Sequence, residues 1–149
     1  LKTSKANRYA LPSWEHIFGC DGMDGILSLD GFDTSLAEGL LLLTPFAADA
    51  DDELTRNFVK AYDDAYGEIP IQFAADGYDA VYVIKAAAEA AGITPDMSVS
   101  DICEAMKGVM GSIKLDGLTG ENITFTAEGE PDKAPKAVII ENGAYKAMD

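Results

Sequence analysis

Carboxylates are the commonest chemically able side chains in this sequence, and Asp21 is the best placed of them. It follows EHIFG (Glu15 to Gly19), which reads as a short buried strand, and lies in CDGMDG, where glycines punctuate a turn. Open α/β sheets place their ligand sites just beyond the ends of such strands. A carboxylate there can pair with a ligand's ammonium group by charge-assisted hydrogen bonds. It can equally cap the helical turn that follows, and position alone leaves both roles open. Tyr78 is the second candidate. In the first turns of a predicted helix, its ring could line a pocket and its hydroxyl reach a polar ligand, or it could be an ordinary packing residue. Tyr62, Tyr66, Tyr82 and Trp14 read as packing residues.

The rest of the inventory speaks against catalysis. The one histidine, His16, falls inside the predicted strand and reads as structural. HExxH, CxxC and GxSxG are absent from the sequence. GCDGMDG lacks both a following Lys-Ser/Thr and GxGxxG spacing, so it is a poor phosphate cradle. Its acids suit calcium, but the other ligands of an EF-hand loop do not follow, and no metal or cofactor is implied. Asp49, Asp51, Asp52 and Glu53 read as solvated residues at a helix start. Cys20 and Cys103 are too few for a disulfide framework; they could pair if the fold brings them together, but two buried free thiols are expected. The residues offer no nucleophile or metal constellation of the kind an enzyme would need.

The elements that must position Asp21 and Tyr78 follow from pattern. With 149 residues, 48% of them apolar and 25% charged, the chain can bury a core of its own. Eleven basic against 26 acidic residues give a formal charge of -15, which argues against nucleic acid and anionic lipid as partners. The opening LKTSKANRYALPSW has no apolar stretch of the signal-peptide kind. Gly39 to Phe46 reads as a strand buried on both faces of a parallel sheet. Asp49 and Asp51 are candidate caps for a helix whose stripe is Leu54, Phe58, Ala61, Tyr62, Ala65 and Tyr66, stopped by Gly67. A second helix is predicted from Phe73 to Ala91, with a stripe of Ala74, Tyr78, Val81, Ile84, Ala88 and Ala91. Further apolar residues beside that stripe imply cover on more than one side. Ser98 and Asp101 have capping-box form and predict a third helix from Ser100 to Lys107. From Ser112 the tail is β-rich, with strands at Asn122 to Thr126 and Lys136 to Glu141. The order is α/β, but the strands are too few to complete a doubly wound sheet.

Taken in order, four segments resemble the type I periplasmic solute-binding proteins of ABC transporters, in the branched-chain amino-acid (Leu/Ile/Val-binding) receptor group. FGCDGMDG resembles that family's strand and acid turn. AEGLLLLTPFAADADDELTRNFVKAYDDAYGEIP is similar to its hinge strand, crossover and helix. FAADGYDAVYVIKAAAEAAG is similar to its returning helix, and GLTGENITFTAEGEPDKAPKAVIIENGAYK to its closing hairpin. The resemblance implies a partial type I, Rossmann-like α/β fold, with an incomplete sheet, helices and a C-terminal β-hairpin. It implies that residues 1–149 are one partial unit, the C-terminal portion of a two-lobed receptor. Residues 1–46 and 112–149 would supply late-lobe strands, and 47–111 helices that pack on the other lobe. Asp21 would bind the ligand ammonium, Tyr78 would be the pocket-facing aromatic, and Thr44, Pro45 and Phe46 would sit near the hinge. The implied partners are an amino acid and the membrane permease of an ABC importer. The implied location is extracytoplasmic, either periplasmic or as a cell-surface lipoprotein. The family's first half, with the Ser/Thr-rich loop that grips the ligand carboxylate, has no counterpart here. Open apolar faces and a homodimer or domain swap are expected from that. The alternative is a free-standing sensory or interaction domain, or a truncated receptor that no longer binds solute.

Overall fold

Sequence-local signals account for most of the elements. The computed structural model describes residues 17–148, so Trp14, Glu15 and His16 lie outside the described residues. The strands are Ile17–Gly19 (β1), Leu40–Thr44 (β2), Thr124–Phe125 (β3), Pro131–Asp132 (β4), Lys136–Glu141 (β5) and Ala144–Met148 (β6). The α-helices are Glu53–Tyr66 (α1), Gln72–Ala90 (α2) and Val99–Val109 (α3).

Four strands form one sheet in the order β1-β2-β5-β6. β1 runs parallel to β2, with Ile17 opposite Leu40 and Gly19 opposite Leu42. β5 meets β2 antiparallel, with Leu42 opposite Val138. The sheet is therefore mixed rather than parallel. β2 is also not buried throughout, because Leu43 is 56% exposed where it lines a cleft. The closing hairpin turns at Asn142 (φ 54°) and Gly143 (φ 71°), the two-residue left-handed loop that matches strand twist, and β6 pairs back along β5. Ala37, Leu40, Leu42, Ala47, Val138 and Ile140 form the core of this side, with Met23, Ile26, Leu27, Phe32 and Tyr145 among the residues packed on it.

The helices build the second side. Asp52, not Asp49 or Asp51, caps α1 by accepting from the Thr55 amide at 2.8 Å, and Gly67 stops it in the left-handed region. Ser98 caps α3 through the Asp101 amide at 3.2 Å, and its hydroxyl donates to the Asp101 carboxylate at 2.7 Å. α2 has an apolar residue, Ile71, at its cap position, and its first amide is satisfied from a distance: Gln72 N donates to Asp24 Oδ2 at 2.7 Å.

The buried face of α2 departs from the apolar stripe expected for it. Gln72, Ala75, Asp79 and Ala87 are buried, whereas Val81 and Ile84 are 63% and 58% exposed. Polar groups with good hydrogen-bond partners took the inside, and the apolar residues beside them face out. Phe46, Ala75 and Leu118 form the small core of this side, flanked by Phe58, Val59 and Tyr78.

The tail divides between the two sides. Buried Asp79 accepts from the amides of Leu118 and Thr119, both at 2.8 Å, and from the Thr119 hydroxyl at 2.7 Å. A Cβ at Gly117 would lie 2.5 Å from that carboxylate, so only glycine permits so close an approach. The loop and the small β3–β4 ladder thus follow α2, while β5 and β6 join the sheet. Cys20 and Cys103 are free, as expected, but both are exposed rather than buried. Cys20 lies in the turn after β1, and Cys103 on the outer surface of α3.

Candidate functional site

A cleft of about 270 Å³ opens where the two sides meet. Asp21 and the end of β2 (Leu43, Thr44, Pro45) line it from the sheet side, and Gln72 and Asp76 line it from α2. Lys133, Ala134 and Pro135, the residues leading into β5, complete the wall. Two passages of the chain between sheet and helices therefore border one cavity. Of the residues singled out from sequence, Asp21, Thr44 and Pro45 come together here.

Asp21 is set in place by its backbone. Gln72 is almost fully buried; its Nε2 donates to the Asp21 carbonyl at 2.8 Å. The Thr44 hydroxyl donates to Gln72 Oε1 at 2.8 Å and in turn accepts from the Phe46 amide at 3.2 Å. One hydrogen-bonded chain thus joins the amide at Phe46, the first residue of α2 and the turn carrying Asp21. The Asp21 carboxylate itself is exposed and has no hydrogen bond or ion pair among the described residues, which leaves it free for a cation.

Asp24 supports the same junction. Its carboxylate accepts from Gly25 N at 2.9 Å and from Gln72 N, and Tyr145 adds a side-chain hydrogen bond. Burial outweighs those hydrogen bonds and raises its pKa above the usual carboxylate range. Burial likewise raises Tyr145, whose hydroxyl accepts from Gly25 N at 2.9 Å.

Across the cleft, Lys133 Nζ donates to Asp76 Oδ1 at 3.0 Å and to the Thr119 hydroxyl oxygen at 2.8 Å. The Thr119 hydroxyl donates onward to Asp79, so this ammonium is anchored to a buried carboxylate rather than held loosely at the surface.

Tyr78 and Phe46 do not line the cleft. Phe46 is 3% exposed, and its ring meets Phe58 edge-on at 6.0 Å. Tyr78 packs on Phe58 at 5.3 Å and on Tyr82 at 4.7 Å, in a row of rings that joins α1 to α2. A hydrogen bond with Tyr82, followed by burial, leaves the Tyr78 hydroxyl pushed up to about 12. That hydroxyl stays protonated at any physiological pH.

Sequence reasoning missed Gln72, Asp76, Asp79 and Lys133. Gln72 and Lys133 carried no local signal. Asp79 carried an indirect one: DGLTG holds a glycine where close approach is needed, but nothing in the chain names the partner 38 residues away as Asp79. Among the described residues no cluster of His, Cys, Asp and Glu could hold a metal ion, and no helix is long and apolar enough to cross a membrane.

The cleft thus lies between the sheet side and the helix side and is bordered by segments that join them. The chain belongs to the periplasmic binding protein family, whose profile matches residues 21–143. A family of periplasmic proteins implies an extracytoplasmic location. Among solved structures, the chain is similar to the leucine-binding protein LivK of Thermotoga maritima, with 26% identity and a TM-score of 0.73, covering 99% of this chain and 40% of that one. It shares its fold with LivJ of Streptococcus pneumoniae in complex with isoleucine, at 22% identity and a TM-score of 0.74, over 98% of this chain and 39% of that one. A solute-binding protein of R. palustris in complex with benzoate has the same fold, at 19% identity and a TM-score of 0.69, over 88% and 34% of the two chains. No curated protein sequence matches the chain significantly. The chain spans between about a third and two fifths of the length of these structures, and its fold is a fragment of the type I periplasmic binding protein fold.

Proposed function

We propose that this chain is part of the solute-binding component of an ABC importer, and that its ligand is an amino acid, branched-chain in the first instance. One observation carries the reading. Asp21, whose carboxylate is unpaired among the described residues, stands on a cleft bordered by both passages between the sheet and helix sides. In this reading Asp21 pairs with the ligand ammonium, and Thr44 to Phe46, with Lys133 to Pro135, form the hinge. Closure about that hinge creates the surface that the membrane permease recognises. The amino-acid ligands named for similar structures support it. The sheet side then belongs to one lobe and the helix side to the other. In this reading the boundary in the tail lies near Lys133, which is supported by the hydrogen bonds that Leu118 and Thr119 donate to Asp79 of α2.

Asp21→Ala in the full-length receptor tests the reading. Amino-acid affinity should fall by at least about 30-fold, the lower end of the cost of truncating one partner of a close charge pair. The melting temperature should hold, since the carboxylate supports nothing in the fold. Unaltered affinity removes Asp21 from the site. Tyr78 enters as a contact to the ligand body. Its place in the aromatic row supports a competing role in holding α1 on α2. Loss of affinity without loss of stability in Tyr78→Phe would favour the ligand role.

In the isolated chain, the exposed Val81, Ile84 and Tyr82 of α2 form an apolar face that we propose pairs with a second copy. A monomer by light scattering over a wide concentration range would reject that pairing.

A further inference from the structure

We infer that Lys133 is a specificity-determining residue of this cleft: by holding Asp76 in an ion pair, it leaves Asp21 as the one unpaired charge of the wall among the described residues and restricts the cleft to ligands with a single ammonium group. The inference rests on the amino-acid reading above and names the residue that enforces its selectivity against a second cation.

Two carboxylates, Asp21 and Asp76, and one ammonium, Lys133, line the cavity. The remaining lining is Leu43, Thr44, Pro45, Gln72, Ala134 and Pro135, with Gln72 engaged at both ends of its amide. Asp76 keeps about two fifths of its side-chain surface exposed, 40%, so without a partner it would present a second negative charge to anything in the cleft. Lys133 prevents this, and it is itself held firmly. Its side chain is 23% exposed, and its ammonium is fixed by Asp76 and by Thr119, which is tied in turn to buried Asp79. A fixed ammonium beside Asp76 does two things to a ligand with a second cation. It occupies the carboxylate that would receive that cation, and it repels the cation at short range. A ligand with one ammonium and an uncharged body meets neither obstacle. The ammonium finds Asp21, and the body meets leucine, alanine and proline.

The test is calorimetric titration of the full-length receptor with L-leucine and with L-lysine. Four proteins are compared: the unsubstituted receptor, Lys133→Met, Lys133→Arg, and Lys133→Met with Asp76→Asn. The unsubstituted receptor should bind leucine and discriminate against lysine. Lys133→Met keeps the side-chain length and frees Asp76. It should narrow the leucine-to-lysine ratio by at least about tenfold, the scale of one close charge pair near a protein surface. Lys133→Arg should retain the original ratio, and adding Asp76→Asn to Lys133→Met should restore it. Thr119 still donates to Asp79 without Lys133, so the single variants should stay folded, and melting curves check this. An unchanged ratio in a folded Lys133→Met that still binds leucine overturns the inference while leaving the amino-acid reading intact. A gain that persists after Asp76→Asn also overturns it. An unsubstituted receptor that binds neither amino acid removes the amino-acid reading and this inference together.

Discussion

On the sheet side, Leu42, Val138 and Ile140 are sealed in a core whose members come from β2, β5 and the turns around them. On the helix side, among the described residues, Phe46, Ala75 and Leu118 form a small cluster, with Ala87, Ile113 and Ile123 buried apart from it, and much of the cohesion is directional. Three hydrogen bonds converge on Asp79, and a row of rings runs from Phe46 through Phe58 to Tyr78 and Tyr82. Apolar burial tolerates small displacements because it depends on area; a carboxylate with three donors depends on position. The helix side therefore keeps its arrangement by geometry while leaving Val81 and Ile84 in solvent. The two sides cohere by different means, area on the sheet side and directed hydrogen bonds on the helix side.

That difference can be broken most directly in the two cores. Ile140→Ala should cost about 2–5 kcal/mol, the range for a fully buried aliphatic residue. Asp79→Ala should cost about 2–4 kcal/mol, because buried donors stripped of an acceptor cost about 1–3 kcal/mol each and some of these can reach water. Hydrogen exchange separates the two effects. Ile140→Ala should lower protection in β2 and β5 first, and Asp79→Ala in α2 and residues 115–123. Equal loss everywhere in both variants would mean one cooperative unit, and the contrast between the sides would have no energetic meaning.

The sequence was most readable where structure is local. Ser98 with Asp101, Gly67 after α1, and the Asn-Gly turn each act within a few residues, and each forms as its chemistry requires. The apolar run ending at Pro45 marked β2, but nothing in it revealed that β5 would arrive antiparallel nearly a hundred residues later. The buried face of α2 departs from its apolar stripe for a related reason. Periodicity ranks residues by apolarity, and the inside of α2 is held by Gln72 and Asp79, whose partners lie 28 and about 40 residues away. At the candidate site the split is the same. Asp21 could be found because a carboxylate after a strand is a local pattern. Lys133 and Asp76 could not, because an ion pair 57 residues apart exists only once the fold has formed.

The smallest effects bear on how the two sides are joined, and they should run in opposite directions with pH. At Asp52, burial pushes the carboxyl up, but the Thr55 hydroxyl and amide and the charge of Lys136 pull it down further, leaving its pKa below the ordinary value. Its stabilisation is present above the ordinary carboxylate range and is lost as pH falls through the lowered value. At Asp24 burial wins and the folded-state pKa is raised. That contribution is complete below the ordinary range and is lost as pH rises through the raised value. Asp52→Ala removes a helix cap and should cost about 1 kcal/mol at neutral pH, with a gap to the unsubstituted protein that narrows on acidification. Asp24→Ala should show the opposite trend, its gap widening over the same interval as the protonated carboxyl comes into its own. Urea midpoints at several pH values read both. If the Asp24 gap narrows too, the carboxylate that spans from the sheet side to α2 acts as an ionic cap, and charge rather than a neutral buried hydrogen bond ties the sheet side to the helix side.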